Sequence, residues 1–347
     1  MIRYRTLTLL VAALLSSAPA SAALTRSANS AEEGPRLGWF ERFQDSRQGV
    51  EQTDRVSETH KVGADAALDL SHVSGDVRVN TGRTNEIRIE AIKRVRHRDT
   101  DEGKRLLGLL RVDVTQIGSR IEIRTIYPRT SGRSLSAGVD YTITVPATAA
   151  VSVKTVSGDV AVNGVRGEVR AETVSGDVDV VETPNLAIAK AVSGDVRARD
   201  IGTQTSLLLS TVSGSVIASA LKVRTLEAGS VSGNVELTNL EVERLLAKTI
   251  SGDISYGGVL PRGGRFEFNA HSGNVRIALA DPSGFELDAS TFSGSIRSDF
   301  PVTLRTTTQD EPGSRNRASR AVRGTFGDAS AILSVRSFSG TVVITKK

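Results

Sequence analysis

One short phrase recurs along this chain and limits what it can fold into. A branched apolar residue is followed by Ser-Gly, often by Asp, and then by a second branched apolar residue. In the main run the glycines are Gly158, Gly176, Gly194, Gly214, Gly233, Gly252, Gly273 and Gly294, spaced by 18, 18, 20, 19, 19, 21 and 21 residues. Outlying copies contain Gly75 and Gly340. A near-constant period of this size marks a solenoid, in which no single repeat can bury its own apolar face.

Columns appear when the copies are aligned on the glycine. Two residues before it stand Val156, Val174, Val192, Val212, Val231, Ile250, His271, Phe292 and Phe338. Two residues after it stand Val160, Val178, Val196, Val216, Val235, Ile254, Val275, Ile296 and Val342. Strands favour such β-branched and aromatic residues. Ser-Gly-Asp between them is turn chemistry, because Gly tolerates positive φ and Ser and Asp bond to nearby backbone. The reading is an all-β, single-stranded β-solenoid of about 18–21 residues per coil, with both apolar columns stacked at ~4.8 Å per coil into one core. A meander of independent hairpins would not keep fixed columns.

Composition agrees. Hydrophobic residues make up 39% and aromatics 4%, so the core must come from small aliphatic side chains, which suit thin coils. The net charge is +5, and 5 − 2 = +3 once Arg3 and Arg5 are set aside. That balance gives no footprint for nucleic acid.

The N-terminus reads as a secretory signal over residues 1–22, with Arg3 and Arg5, an apolar stretch from Leu7 to Leu15, and cleavage between Ala22 and Ala23. It is too short for a lasting membrane span, and no later segment qualifies. With no cysteine in the chain, lipoprotein anchors, disulfides and thiolate metal sites are excluded. The expectation is an exported protein: periplasmic, in the cell envelope, or extracellular.

Residues 23–55 read as a polar flexible lead carrying Trp39. Residues 56–150 read as an irregular opening section that starts the solenoid. It contains a short helix near Asp99 to Leu110 that would cap the first coil. Residues 151–347 are the solenoid proper, with a polar loop insertion near 306–324 bearing Arg315, Arg317, Arg320 and Arg323. The copy at Gly340 is expected to close the stack.

The repeated Val-Ser-Gly-Asp-Val, the entry Tyr141-Thr142-Ile143-Thr144-Val145-Pro146 and the closing Phe338-Ser339-Gly340-Thr341-Val342 resemble a bacterial "putative adhesin" family, over roughly residues 56–347. The resemblance implies an exported β-solenoid at the cell envelope and brings no catalytic residues. Some members look associated with envelope-stress responses.

Candidate chemistry is sparse. Asp159, Asp177, Asp195 and Asp253 would line one edge and could hold calcium, but the same column continues with Ser215, Asn234, Asn274 and Ser295, which share turn propensity rather than charge. His60, His72, His97 and His271 have no ligand or triad spacing. Gly257-Gly258 and Gly263-Gly264 lack the Lys-Ser/Thr of a phosphate loop and read as turns. An acyltransferase helix needs an apolar residue every six, and a polysaccharide-active β-helix needs aromatic sugar platforms; neither pattern is evident.

The expectation is therefore a non-enzymatic envelope protein without cofactor or metal. Its partner is an unidentified envelope or extracellular macromolecule, protein or glycan. A periplasmic or wall-associated stress-response module is the alternative, and a polysaccharide-active enzyme the remote one. Lys154, Lys190, Lys248, Thr155, Thr173 and Thr249 are candidates for a polar binding face, and open strand edges at the end coils invite self-association.

Overall fold

A computed structural model describes residues 49–347 except 64, 84, 129–135, 281, 283 and 305–319. The signal-like segment, Ala22, Ala23, Trp39, Arg315 and Arg317 lie outside the described residues.

The opening section runs β1 (Val50–Lys61), β2 (Ala67–Ser71), β3 (Val77–Thr81), β4 (Glu86–His97), α1 (Thr100–Leu109), β5 (Arg111–Ile117), β6 (Arg120–Ile126) and β7 (Ser136–Val145). The repeats follow as β8 (Ala150–Ser157), β9 (Val160–Asn163), β10 (Val169–Ser175), β11 (Val178–Val181), β12 (Leu186–Lys190), β13 (Val196–Ser213), β14 (Val216–Ser232), β15 (Val235–Ser251) and β16 (Ile254–Gly258). The chain ends with β17 (Arg265–Ser272), β18 (Val275–Leu279), β19 (Gly284–Ser293), β20 (Ile296–Ser298), β21 (Thr303–Leu304), β22 (Arg320–Gly327), β23 (Ala331–Ser339) and β24 (Val342–Lys346). β1 starts at Val50, so residues 50–55 belong to the sheet and not to the lead.

Each Ser-Gly corner joins two parallel ladders. The strands before the corner stack in the order β6, β2, β8, β10, β12, then the C-terminal halves of β13, β14 and β15, then β17, β23 and β19. The strands after the corner stack as β7, β3, β9, β11, the N-terminal halves of β13, β14 and β15, then β16, β18, β24 and β20. In β13 to β15 one strand runs from one Ser-Gly corner round to the next. A second corner lies six residues after the glycine, where Glu182, Asp200, Ala220 and Asn239 adopt φ of 50–55°.

Chain order and spatial order part at both ends. β6 and β7 form the coil in front of β2 and β3, although they come later in sequence. β23 and β24 slot between β17–β18 and β19–β20. The Gly340 copy is thus an inner coil, and Gly294 belongs to the last coil of the stack. Antiparallel strands finish each end: β5 on β6, β4 on β7 and β1 on β4 at one, and β22 on β19 with β21 on β22 at the other. Helix α1 is N-capped by Asp99, whose side chain accepts from the N–H groups of Asp101 and Glu102. It packs on β4 and β1 rather than over a coil end. Within the expected insertion, Arg320–Gly327 is strand β22, and Arg323 pairs with Asp288 at 3.2 Å. Gly257 and Gly258 lie within β16, whereas Gly263 sits in a turn at φ 75°.

The core is a continuous aliphatic column. Val160, Val178, Val196, Val216, Val235, Ile254, Val275 and Val342 are all buried, and Ile296, in the last coil, is half-buried. The coil of β16 and β17 is filled by Tyr256, Phe266 and Phe268, with Tyr256 edge-on to both at 5.6 Å.

Candidate binding surface

The Ser-Gly corner is built by three side-chain positions. At the glycine, φ runs from 126° at Gly75 to 157° at Gly340, conformations that only glycine adopts without strain. A Cβ at Gly176 would also overlap the carbonyl of Gly158 in the adjacent coil, and the same holds along the column. After the glycine, wherever the residue is Asp or Asn, its side-chain oxygen accepts the backbone N–H of the next coil. Asp159 Oδ1 takes Asp177 N–H at 2.8 Å, Asp177 Oδ1 takes Asp195 N–H at 2.8 Å, and Asp195 Oδ1 takes Ser215 N–H at 2.8 Å. Asn234 and Asn274 do the same for Asp253 and Thr341. Partial burial works against the charge of Asp177, yet the Arg197 guanidinium and the Asp195 N–H hold its carboxyl below the usual range. The acid column is a backbone ladder in which Asn serves as well as Asp, not a ligand set.

Three residues before the glycine stands a buried hydroxyl in most coils, with Ala191 and Ala270 taking its place in two. Thr173 donates to Gly158 O at 3.2 Å, Thr211 to Gly194 O at 2.8 Å, Ser230 to Gly214 O at 2.8 Å and Thr249 to Gly233 O at 3.0 Å. Thr155, Thr173 and Thr249 are therefore core residues and no part of a polar face. At the first copy this position is His72, buried, with Nδ1 3.1 Å from Thr125 Oγ1, itself 2.7 Å from the Tyr141 hydroxyl. Burial drives the His72 pKa down to about 4, against the Ser74 and Gly75 backbone groups that favour the charged ring. Burial likewise pushes the Tyr127 and Tyr141 hydroxyls up to about 12.

With the hydroxyls inside, strand alternation turns the next residue outward. The column of Val73, Val156, Val174, Val192, Val212, Val231, Ile250, Phe338 and Phe292 is exposed, from 43% at Val231 to 55% at Phe292. This overturns the expectation that both apolar columns form the core. The corner supplies the reason. From the column before the glycine to the column after it is four residues, an even step that would keep both on one side of a straight strand, but the Ser-Gly-Asp turn resets the alternation. Only the later column points inward. His271 keeps its place in the outer column, stacked on Phe338 at 4.8 Å and 10° between planes. Phe338 in turn stacks on Phe292 at 5.0 Å and 4°. A groove of about 540 Å³ runs along this end, lined by Ile250, His271, Phe338, Phe292, Lys248 and Arg336. The sequence carried the signal, since Val156 alternates with Lys154 while Thr155 alternates with Val153.

His60 and His97 lie in the opening section, both half-buried, in local hydrogen bonds to Glu58 at 3.1 Å and the Asp99 carbonyl at 3.1 Å. The four histidines are not brought together. Among the described residues no helix is long and apolar enough to cross a membrane.

Residues 66–345 match the family model Toastrack DUF4097. The chain therefore belongs to the Toastrack DUF4097 family, whose β-solenoid-like fold is the one described above. No curated protein matches it. Among solved structures it is similar to a putative adhesin of Bacteroides fragilis, at 14% identity and a TM-score of 0.41 over 84% of this chain and 96% of that one. A putative adhesin of Parabacteroides merdae is 10% identical, with a TM-score of 0.34 over 66% and 90% of the two chains. A putative lipid binding protein of Parabacteroides distasonis is 10% identical, with a TM-score of 0.31 over 84% and 97%.

Proposed function

We propose that this is an exported, non-enzymatic binding module of the cell envelope that engages a macromolecular partner through its outward apolar stripe. The stripe is the observation that carries the reading. Branched and aromatic side chains stand in solvent on coil after coil, where the polar, strand-favouring Thr would serve the strand equally well. Contiguous apolar surface of this extent marks interaction sites on soluble proteins. Export is supported by the signal-like N-terminus, and a non-catalytic role by how the polar residues are used: the corner acids and hydroxyls are engaged in holding the backbone.

The test is a variant carrying Val174→Ser, Val212→Ser and Phe338→Ser, compared with wild type for binding to washed envelopes. Retained circular dichroism with binding about tenfold weaker or less is expected, since hot-spot residues dominate interfaces. Unchanged binding would refute the reading. Protease treatment of intact against lysed cells separates surface display from a periplasmic or wall-associated role.

A further inference from the structure

We infer that the partner of the apolar stripe is a second copy of this chain, the two rods lying side by side about a two-fold axis parallel to the stack. The inference rests on the stripe being a contact surface, as proposed above.

The first argument is spacing. Adjacent coils are bridged by direct backbone pairing at the corner serines, Ser157 with Ser175, Ser175 with Ser193 and Ser193 with Ser213. The outward side chains therefore recur at the ~4.8 Å of a β-ladder. An irregular protein surface meets such a comb at only a few teeth. Another β-ladder with the same repeat meets all of them, and identical ladders face to face form dry, interlocking interfaces.

The second argument is charge. Two residues before the stripe, Lys154, Lys190 and Lys248 point outward. Three residues after it, the same coils carry Asp159, Asp195 and Asp253 at the corner. A two-fold axis parallel to the rod keeps each coil at its own level and reverses the transverse direction. It sets the lysine row of each copy over the aspartate row of the other. A two-fold axis across the rod sets lysine row against lysine row. The like-signed coil is Glu172 with Asp177. Arg197 pairs with Asp177 at 2.6 Å and with Asp195 at 2.5 Å, and Arg276 pairs with Asp253 at 2.7 Å, so a facing lysine would share these acids with an arginine of the acid's own copy. Exposed pairs of this kind choose orientation more than they add affinity.

The third argument is area. About ten coils give a length of roughly 43 Å, and seven residues across give about 20 Å, so a flat contact would cover about 900 Å² of each copy. Stable interfaces cover about 800 Å² per partner. The aromatic end favours the same occupant. His271, Phe338 and Phe292 cover one another's faces, so the stack offers ring edges to pack against rather than a platform for a sugar.

The experiment uses the absence of cysteine from the chain. Val174→Cys and Ile250→Cys are made as separate single variants and treated with a short bifunctional thiol crosslinker, beside sedimentation of the wild type across the micromolar range. A wild-type dimer is expected, with each single variant linking to itself, because the parallel axis brings every stripe residue to its own equivalent. The doubly charged variant Val174→Glu with Val212→Glu should keep its circular dichroism and associate at least about a hundredfold more weakly. A monomeric wild type overturns the inference. So does a dimer that neither cysteine links, as an axis across the rod would give by opposing Val174 to His271 and Ile250 to Val192. So does a dimer that survives the double glutamate. If the wild type is monomeric while the triple serine variant still loses envelope binding, the stripe stands as a contact surface and only the second copy falls.

Discussion

The columns two residues before and two residues after the corner glycine have nearly the same composition and opposite environments. Val196, after Gly194, has no solvent exposure, whereas Val192, before it, is 46% exposed. Both sit in extended backbone, and both are the residue type that strands prefer. The difference shows that a β-branched column reports strand backbone, while burial is decided by how the corner resets alternation. The buried column three residues before the glycine lies immediately ahead of the outer valines, and by alternation it turns them out.

The largest test of the contrast is one charge placed at either position of a single coil. Val196→Asp is expected to lose about 4 kcal/mol or more in denaturant midpoint, the cost of a buried, unpaired charge. Val192→Asp should lose under about 0.5 kcal/mol, as exposed substitutions do, at concentrations low enough to exclude association. Equal losses would break the comparison.

Next comes the pivot between the columns. Gly194→Ala forces a side chain into φ 141° and against the Gly176 carbonyl. A loss of about 3 kcal/mol is expected from strain and overpacking together, read from thermal unfolding. A neutral result would mean that the corner can relax without its glycine.

His72 tests the hydroxyl column by pH. Its folded pKa of about 4 lies below the ordinary 6.5, so the unfolded chain binds the proton first. The contribution is fully present above pH 6.5, declines as pH falls from 6.5 to 4, and is then flat. The decline should amount to about 3 kcal/mol, and His72→Gln should flatten that part of the stability profile. The smallest effect is expected from Thr211→Val, which keeps the shape and removes the bond to Gly194 O; about 1 kcal/mol should be lost.

The solenoid itself was legible, because eight glycines at 18–21 residue spacing leave few alternatives. So was α1, marked by Asp99 and the acidic first turn. The order of coils was not. A period says how long each coil is and nothing about which coils touch, so the 46 residues from Gly294 to Gly340 read as about two periods with an insertion, and the copy at Gly340 as the closing coil. The stripe was missed for a different reason: Val156 and Val160 are the same residue, and only Thr155 beside them shows the alternation. The second corner left no mark, since Glu182, Asp200, Ala220 and Asn239 have no side-chain chemistry in common.

The interleaving at the C-terminal end bears on assembly. As the chain emerges from its N-terminus, β8 to β18 can zip coil by coil onto what is already formed. β19 and β20 cannot, because the place beside β17 and β18 is reserved for β23 and β24, which are made after them. The coil bearing Phe292 can pair antiparallel with β22 but cannot join the stack until β23 and β24 wedge in beside it. A chain lacking β23 and β24 would lose an inner course of the stack and strand the coil beyond it, so two strands late in the sequence decide whether an earlier coil has anything to rest on.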